Sequence, residues 1–129
     1  MKFRPSVAIV AAATLTIAVS SCGGDRESDG IGRTENVAAD ATVTYEYRVP
    51  FGTGERIDSG EVVEIMPSEL TVQVGESIRI INDDLRDYMI GPFFVMAGQT
   101  LAMRFTNPGV IEGVCQVNPE GRFAITVLE

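Results

Sequence analysis

From residue 42 onward, apolar residues recur at every second position in short runs, and glycine, proline or asparagine stops most of these runs. Only a strand sends alternate side chains to one face, so this spacing predicts a succession of short strands, each burying one side. Thr42–Val49 places Val43, Tyr45, Tyr47 and Val49 together, and Leu70–Val74 does the same with Leu70, Val72 and Val74. Further strands are expected over Glu61–Met66, Ser77–Asn82, Tyr88–Val95, Thr100–Phe105, Val110–Val117 and Phe123–Leu128. Between them, Gly75-Glu76, Gly98, Asn107-Pro108-Gly109 and Pro119-Glu120-Gly121 read as turns, and the glycine-rich Phe51–Gly60 reads as a loop. No stretch after residue 22 carries a helical period. Seven or eight short strands with frequent turns make an all-β sandwich, in which Leu101, Met103 and Phe105 would face Phe123, Ile125 and Val127 across one core.

The amino-terminal end reads as an address. Lys2 and Arg4 precede an uncharged, largely apolar run from Val7 to Val19. That run is too short to span a bilayer, which needs about 20 residues, and suits the hydrophobic region of an export signal. It closes on Val19-Ser20-Ser21-Cys22, an aliphatic residue and two small ones before a cysteine, which resembles the lipobox of bacterial lipoproteins. The resemblance implies cleavage after Ser21 and a diacylglycerol on the Cys22 sulfur. It also implies an acyl group such as palmitate on the new amine, giving an exported protein held to the membrane by lipid and facing the extracytoplasmic side. The alternative is an ordinary secretory signal that happens to end on cysteine. Residues 22–42, rich in Gly, Asp, Glu and Ala, read as a flexible linker, and residues 43–129 as the folded domain.

Composition excludes several chemistries. There is no histidine in the chain, hence no Ser-His-Asp triad, no His-ligated zinc and no haem held by histidine. The only lysine, Lys2, leaves with the signal, so nothing after residue 22 pairs a nucleophile with a strong base, and no enzymatic activity is expected. Loss of Lys2 and Arg4 takes the formal charge from −8 to −10, which disfavours nucleic acid and anionic lipid surfaces.

The second half carries a further likeness. Leu70-Thr-Val-Gln-Val-Gly-Glu-Ser-Ile-Arg-Ile-Ile-Asn-Asp-Asp84 is followed by Tyr88-Met-Ile-Gly-Pro-Phe93 and Ala97-Gly-Gln-Thr100. Pro108-Gly109 and Gly113-Val-Cys115 come next. In order and spacing this resembles a cupredoxin, the Greek-key sandwich of plastocyanin-like proteins. Cupredoxins hold copper at one end of the sandwich with two histidines, a cysteine thiolate and a weak methionine thioether. By position, the first histidine falls on Tyr88, the cysteine on Cys115, the second histidine on Asn118 and the methionine near Phe123. Only the cysteine is kept. The resemblance therefore implies a cupredoxin-like domain with degenerate copper positions and no type-1 copper, acting as a binding or structural module for an envelope partner, with Tyr88 and Asn118 in a surface patch.

Three further groups have two readings each. Cys115 is a free thiol, half of an intermolecular disulfide or a ligand, or else a small buried hydrophobe. Met66, Met89, Met96 and Met103 with Cys115 would make a soft Cu(I) site, which is the copper-handling alternative, by Cu(I) trafficking or electron transfer; Met103 reads better as core filling. Asp83, Asp84 and Asp87 form either a hard-cation site or a polar loop.

Overall fold

The computed structural model describes residues 33–129. The signal segment and Cys22 lie outside the described residues. Within them the chain forms an all-β sandwich of nine strands and one short helix. One four-stranded sheet has the order β1 (Thr34–Asn36), β7 (Thr100–Phe105), β4 (Ser77–Asn82), β2 (Tyr45–Val49). The facing sheet has the order β3 (Glu69–Gln73), β9 (Arg122–Leu128), β8 (Gly109–Val114). A hairpin of β5 (Tyr88–Ile90) and β6 (Phe93–Val95) closes one end. The pairs β2·β4 and β3·β9 are parallel, so the chain crosses between sheets to make them.

The alternation read in the sequence sets the inward face. Ile78 and Ile80 of β4, Phe105 of β7, Val72 of β3, and Phe123, Ile125 and Val127 of β9 are buried in one core, with Leu101 and Met103 packed against it. Burying a side chain of this kind contributes about 1.5–3 kcal/mol, and the alternate positions Arg79 and Arg104 reach outward to Glu46 and Glu35.

Four segments depart from the sequence expectation. Thr34–Asn36, assigned to the linker, forms the edge strand β1: Thr34 pairs with Phe105 and Asn36 with Met103. The amide of Val37 donates to Ala102 O at 3.0 Å, and Arg79 Nη1 donates to the carbonyls of Ala39 and Ala41. Residues 34–41, expected to be linker, thus pack against the sandwich. Phe51–Gly60 contains the helix α1 (Thr53–Asp58), entered through Gly52 at φ 88° and left through Gly60 at φ 83°. Glu61–Met66 is not a strand; the amides of Ile65 and Met66 both donate to Val117 O, and Met66 is buried. Tyr88–Val95 folds back on itself because Gly91 takes a left-handed φ of 61° and Pro92 lacks an amide donor.

The described strands close around one core within 33–129, which gives this part of the chain a core of its own. A chain starting at Gly23 should unfold in one cooperative denaturant transition. A chain starting at Val43 loses β1 and opens the β7 edge, and should unfold at lower denaturant and self-associate, as read by circular dichroism and sedimentation.

Candidate functional site

The strand β4 ends at Asn82, and the loop after it organises one end of the sandwich. Asn82 is fully buried. Its Nδ2 donates to the carbonyls of Arg86 (2.8 Å), Met96 (3.1 Å) and Val95 (3.2 Å), and its Oδ1 accepts from the amide of Asp84 (3.0 Å). One side chain therefore clips the loop after β4 to the end of β6.

Asp84 is turned inward by that turn. Its carboxylate accepts from the amides of Gly52 (3.1 Å) and Gly54 (2.8 Å) and from the Tyr88 hydroxyl (2.5 Å). The first two donors belong to the amino-terminal end of α1, so Asp84 caps the helix from a distant loop, where negative charge is favoured. Burial works against its ionised form, yet the Tyr88 hydroxyl and the amides of Gly54, Leu85 and Gly52 outweigh it and hold the carboxyl at about 2. Arg86 fastens the other end of the helix through a paired contact with Asp58, Nη1 to Oδ1 at 3.0 Å and Nη2 to Oδ2 at 2.6 Å.

Tyr88 sits where the cupredoxin likeness places the first metal ligand, and it is 1% exposed. Burial raises its phenol above the ordinary range, and the hydrogen bond and charge of Asp84 raise it further. Cys115 is buried, bridges Ile90 and donates its amide to Gly121 O at 3.0 Å. Its thiol is pushed up by burial and by the charge of Glu120, against an opposing hydrogen bond from the Val117 amide. Asn118 is also buried: Nδ2 donates to Arg122 O (2.6 Å) and Pro67 O (3.3 Å), and Oδ1 accepts from the Gly121 amide (2.9 Å). It closes the loop before β9. Phe123 is fully buried; a Cβ added to Gly91 would lie 3.0 Å from its Cδ1, so the hairpin turn rests on the ring.

Tyr88, Cys115 and Phe123 share the core, and Asn118 lies in the loop that leads to Phe123. The expected surface patch of Tyr88 and Asn118 is corrected by this burial: both polar groups point into the protein because each satisfies partners there. The four positions supply a phenol, a thiol, an amide and a hydrocarbon ring, with the phenol and amide already hydrogen-bonded. This is not the donor set of a type-1 copper centre. Asp83, Asp84 and Asp87 diverge, to Arg48, to Tyr88 and to the Ala97 amide respectively. Among the described residues no cluster of three or more His, Cys, Asp or Glu is placed to hold a metal ion. The roles of Asn82 and Asp84 are not legible in the sequence, because their contacts with Val95 and Met96 and with Gly52 and Gly54 join segments 13 to 32 positions apart.

No family model matches the chain, and no curated protein matches it. Among solved structures, the chain is similar to a reduced Cu(I) form of an amicyanin variant at pH 4, with 14% identity and a TM-score of 0.46, over 74% of this chain and 99% of that one. It is also similar to amicyanin from Paracoccus versutus, with 13% identity and a TM-score of 0.46, over 74% and 98%.

Removing the Tyr88 hydroxyl leaves a buried carboxylate short of a donor, so Tyr88→Phe should cost about 1–3 kcal/mol in denaturant unfolding at neutral pH. The Asp84 carboxyl is depressed in the folded state, so its contribution is present above the unfolded value of 3.8 and is lost as pH falls toward about 2. Asp84→Asn should flatten the fall in stability across that interval, measured by unfolding at a series of acidic pH values.

Proposed function

We propose that this chain is an exported, lipid-anchored cell-envelope protein whose cupredoxin-like domain lacks type-1 copper and acts as a non-enzymatic binding module. The observation that carries the reading is Tyr88: the first copper-ligand position holds a buried phenol, raised above its ordinary range and donating to Asp84. Asn118 and Phe123 support it, the one engaged with backbone groups and the other filling the core. Anchoring through Cys22 is supported by the sequence context Val19-Ser20-Ser21-Cys22.

The copper-handling alternative asks Cys115 and methionines to meet. Cys115 and Met66 are buried, whereas Met89 and Met96 are exposed, which separates the thiol from the accessible thioethers.

Titration of the chain from Gly23 with Cu(II) in air and Cu(I) under reductant, followed by elemental analysis, should give no stoichiometric copper in either state. One tightly held Cu(I), lost in Cys115→Ser, would instead establish copper handling. For the anchor, the full chain expressed in a bacterial host should appear in the membrane fraction with an acylated amino-terminal Cys22 by mass spectrometry, and Cys22→Ser should lose the acyl mass. A soluble, unacylated product from the unsubstituted chain would refute it.

A further inference from the structure

The polar groups at the Asn82 end of the sandwich point inward, and large apolar side chains there point outward. Leu85 is 81% exposed and Phe51 71% exposed, and both line a shallow cavity of about 200 Å³ with Glu55 and Arg86. On the hairpin, Met89 stands directly opposite Phe94, and both are exposed, as is Met96 two residues on. The two groups adjoin, since Asn82 Nδ2 bonds the carbonyls of both Arg86 and Met96. Five large apolar side chains thus surround one end of a small domain, where single scattered ones would need no explanation.

Charge indicates what fits them. The six arginines from Arg48 onward are each paired with a carboxylate: Arg48 with Asp83, Arg56 with Glu61, Arg79 with Glu46, Arg86 with Asp58, Arg104 with Glu35 and Arg122 with Glu69. Arg33, the other described arginine, donates to Pro108 O at the opposite end of the sandwich. Beside the apolar residues, Glu55 and Asp87 form no ion pair among the described residues, the neighbouring Arg86 being paired with Asp58 and Asp87 accepting the Ala97 amide. A second copy or an anionic lipid surface would bring like charges together. The described chain also begins at the far end, since Thr34 pairs with Phe105 beside Ser77 at the start of β4. The six residues of β4 separate the two ends by about 17 Å.

We propose that Phe51, Leu85, Met89, Phe94 and Met96 form the docking surface for a basic amphipathic protein segment, apolar on one side and flanked by lysine or arginine. This rests on reading the domain as a binding module and names its partner's chemistry. Methionine suits such a surface because its unbranched thioether repacks around different side chains. Glu55 and Asp87 supply the attraction that orients the cationic flanks.

The test uses the ¹⁵N-labelled chain from Gly23 and two synthetic helical peptides, one of leucine and lysine and one of leucine and glutamate. The Leu/Lys peptide should shift the amides of Leu85, Met89 and Phe94–Met96 and bind several-fold more weakly at 0.5 M salt. The Leu/Glu peptide should not bind. Phe94→Ser with Met96→Ser should weaken binding about tenfold or more without moving the unfolding midpoint. Phe51→Ser with Leu85→Ser provides a second, independent pair. Shifts spread over the whole surface, or binding unchanged in both pairs, would overturn the proposal. So would concentration-dependent dimerisation through these residues, or their protection by the chain's own residues 23–32. Copper uptake in the earlier titration would count against the binding-module reading alone, whereas peptide failure in a copper-free domain would count against this surface.

Discussion

One buried carboxylate fixes the end of this domain. Asp84 joins the loop after β4, which carries it, to the start of α1 about thirty positions earlier through Gly52 and Gly54, and to the start of β5 four positions later through Tyr88. A carboxylate in that place is tolerable only because its oxygens accept from several donors. Each donor is in turn positioned by the acid. Asn82 performs a parallel task with neutral groups, and its carbonyl partners bring Met96 beside the same loop. The end of the sandwich is therefore held by hydrogen bonds among side chains and backbone.

The inward face of the sandwich was readable from period two. Ile78 and Ile80, Val72, Phe105, and Phe123, Ile125 and Val127 are buried as their spacing requires, and the bounds of β4 and β7 match the apolar runs. What escaped was structure whose cause is non-local. The helix α1 is six residues long and its amino-terminal amides are capped by Asp84, about thirty positions away, so no local pattern announces it. The strand β1 reads Thr-Glu-Asn, with no apolar residue to betray it; it forms because β7 presents an open edge. The break at Gly91-Pro92 carried its own signal, a glycine and a proline together, within a run whose apolar content favoured one strand.

The candidate site was legible as chemistry and not as orientation. The absence of histidine from the chain is a property of the sequence. That Tyr88 and Asn118 face inward is a property of their partners, Asp84 for one and the carbonyls of Pro67 and Arg122 for the other. The tight seat of the hairpin is of the same kind: a Cβ on Gly113 would lie 2.7 Å from the Gly91 carbonyl carbon, so the close approach of β8 to the turn depends on a residue without a side chain.

The three residues of β1 have a mechanical consequence. Among the described residues a load on the amino-terminal side meets β1 first, which is held to β7 by a short ladder, the Val37 amide and the exposed pair Glu35–Arg104, with Arg79 fastening the carbonyls of Ala39 and Ala41 behind it. Such a clasp gives way before the six-residue ladders of β8 and β9, which hold the core together. Its release would pay out the ten or so residues before Tyr45, about 35 Å of extended chain, leaving the inner strands undisturbed. Release of this strand would leave the backbone groups of the β7 edge unpaired.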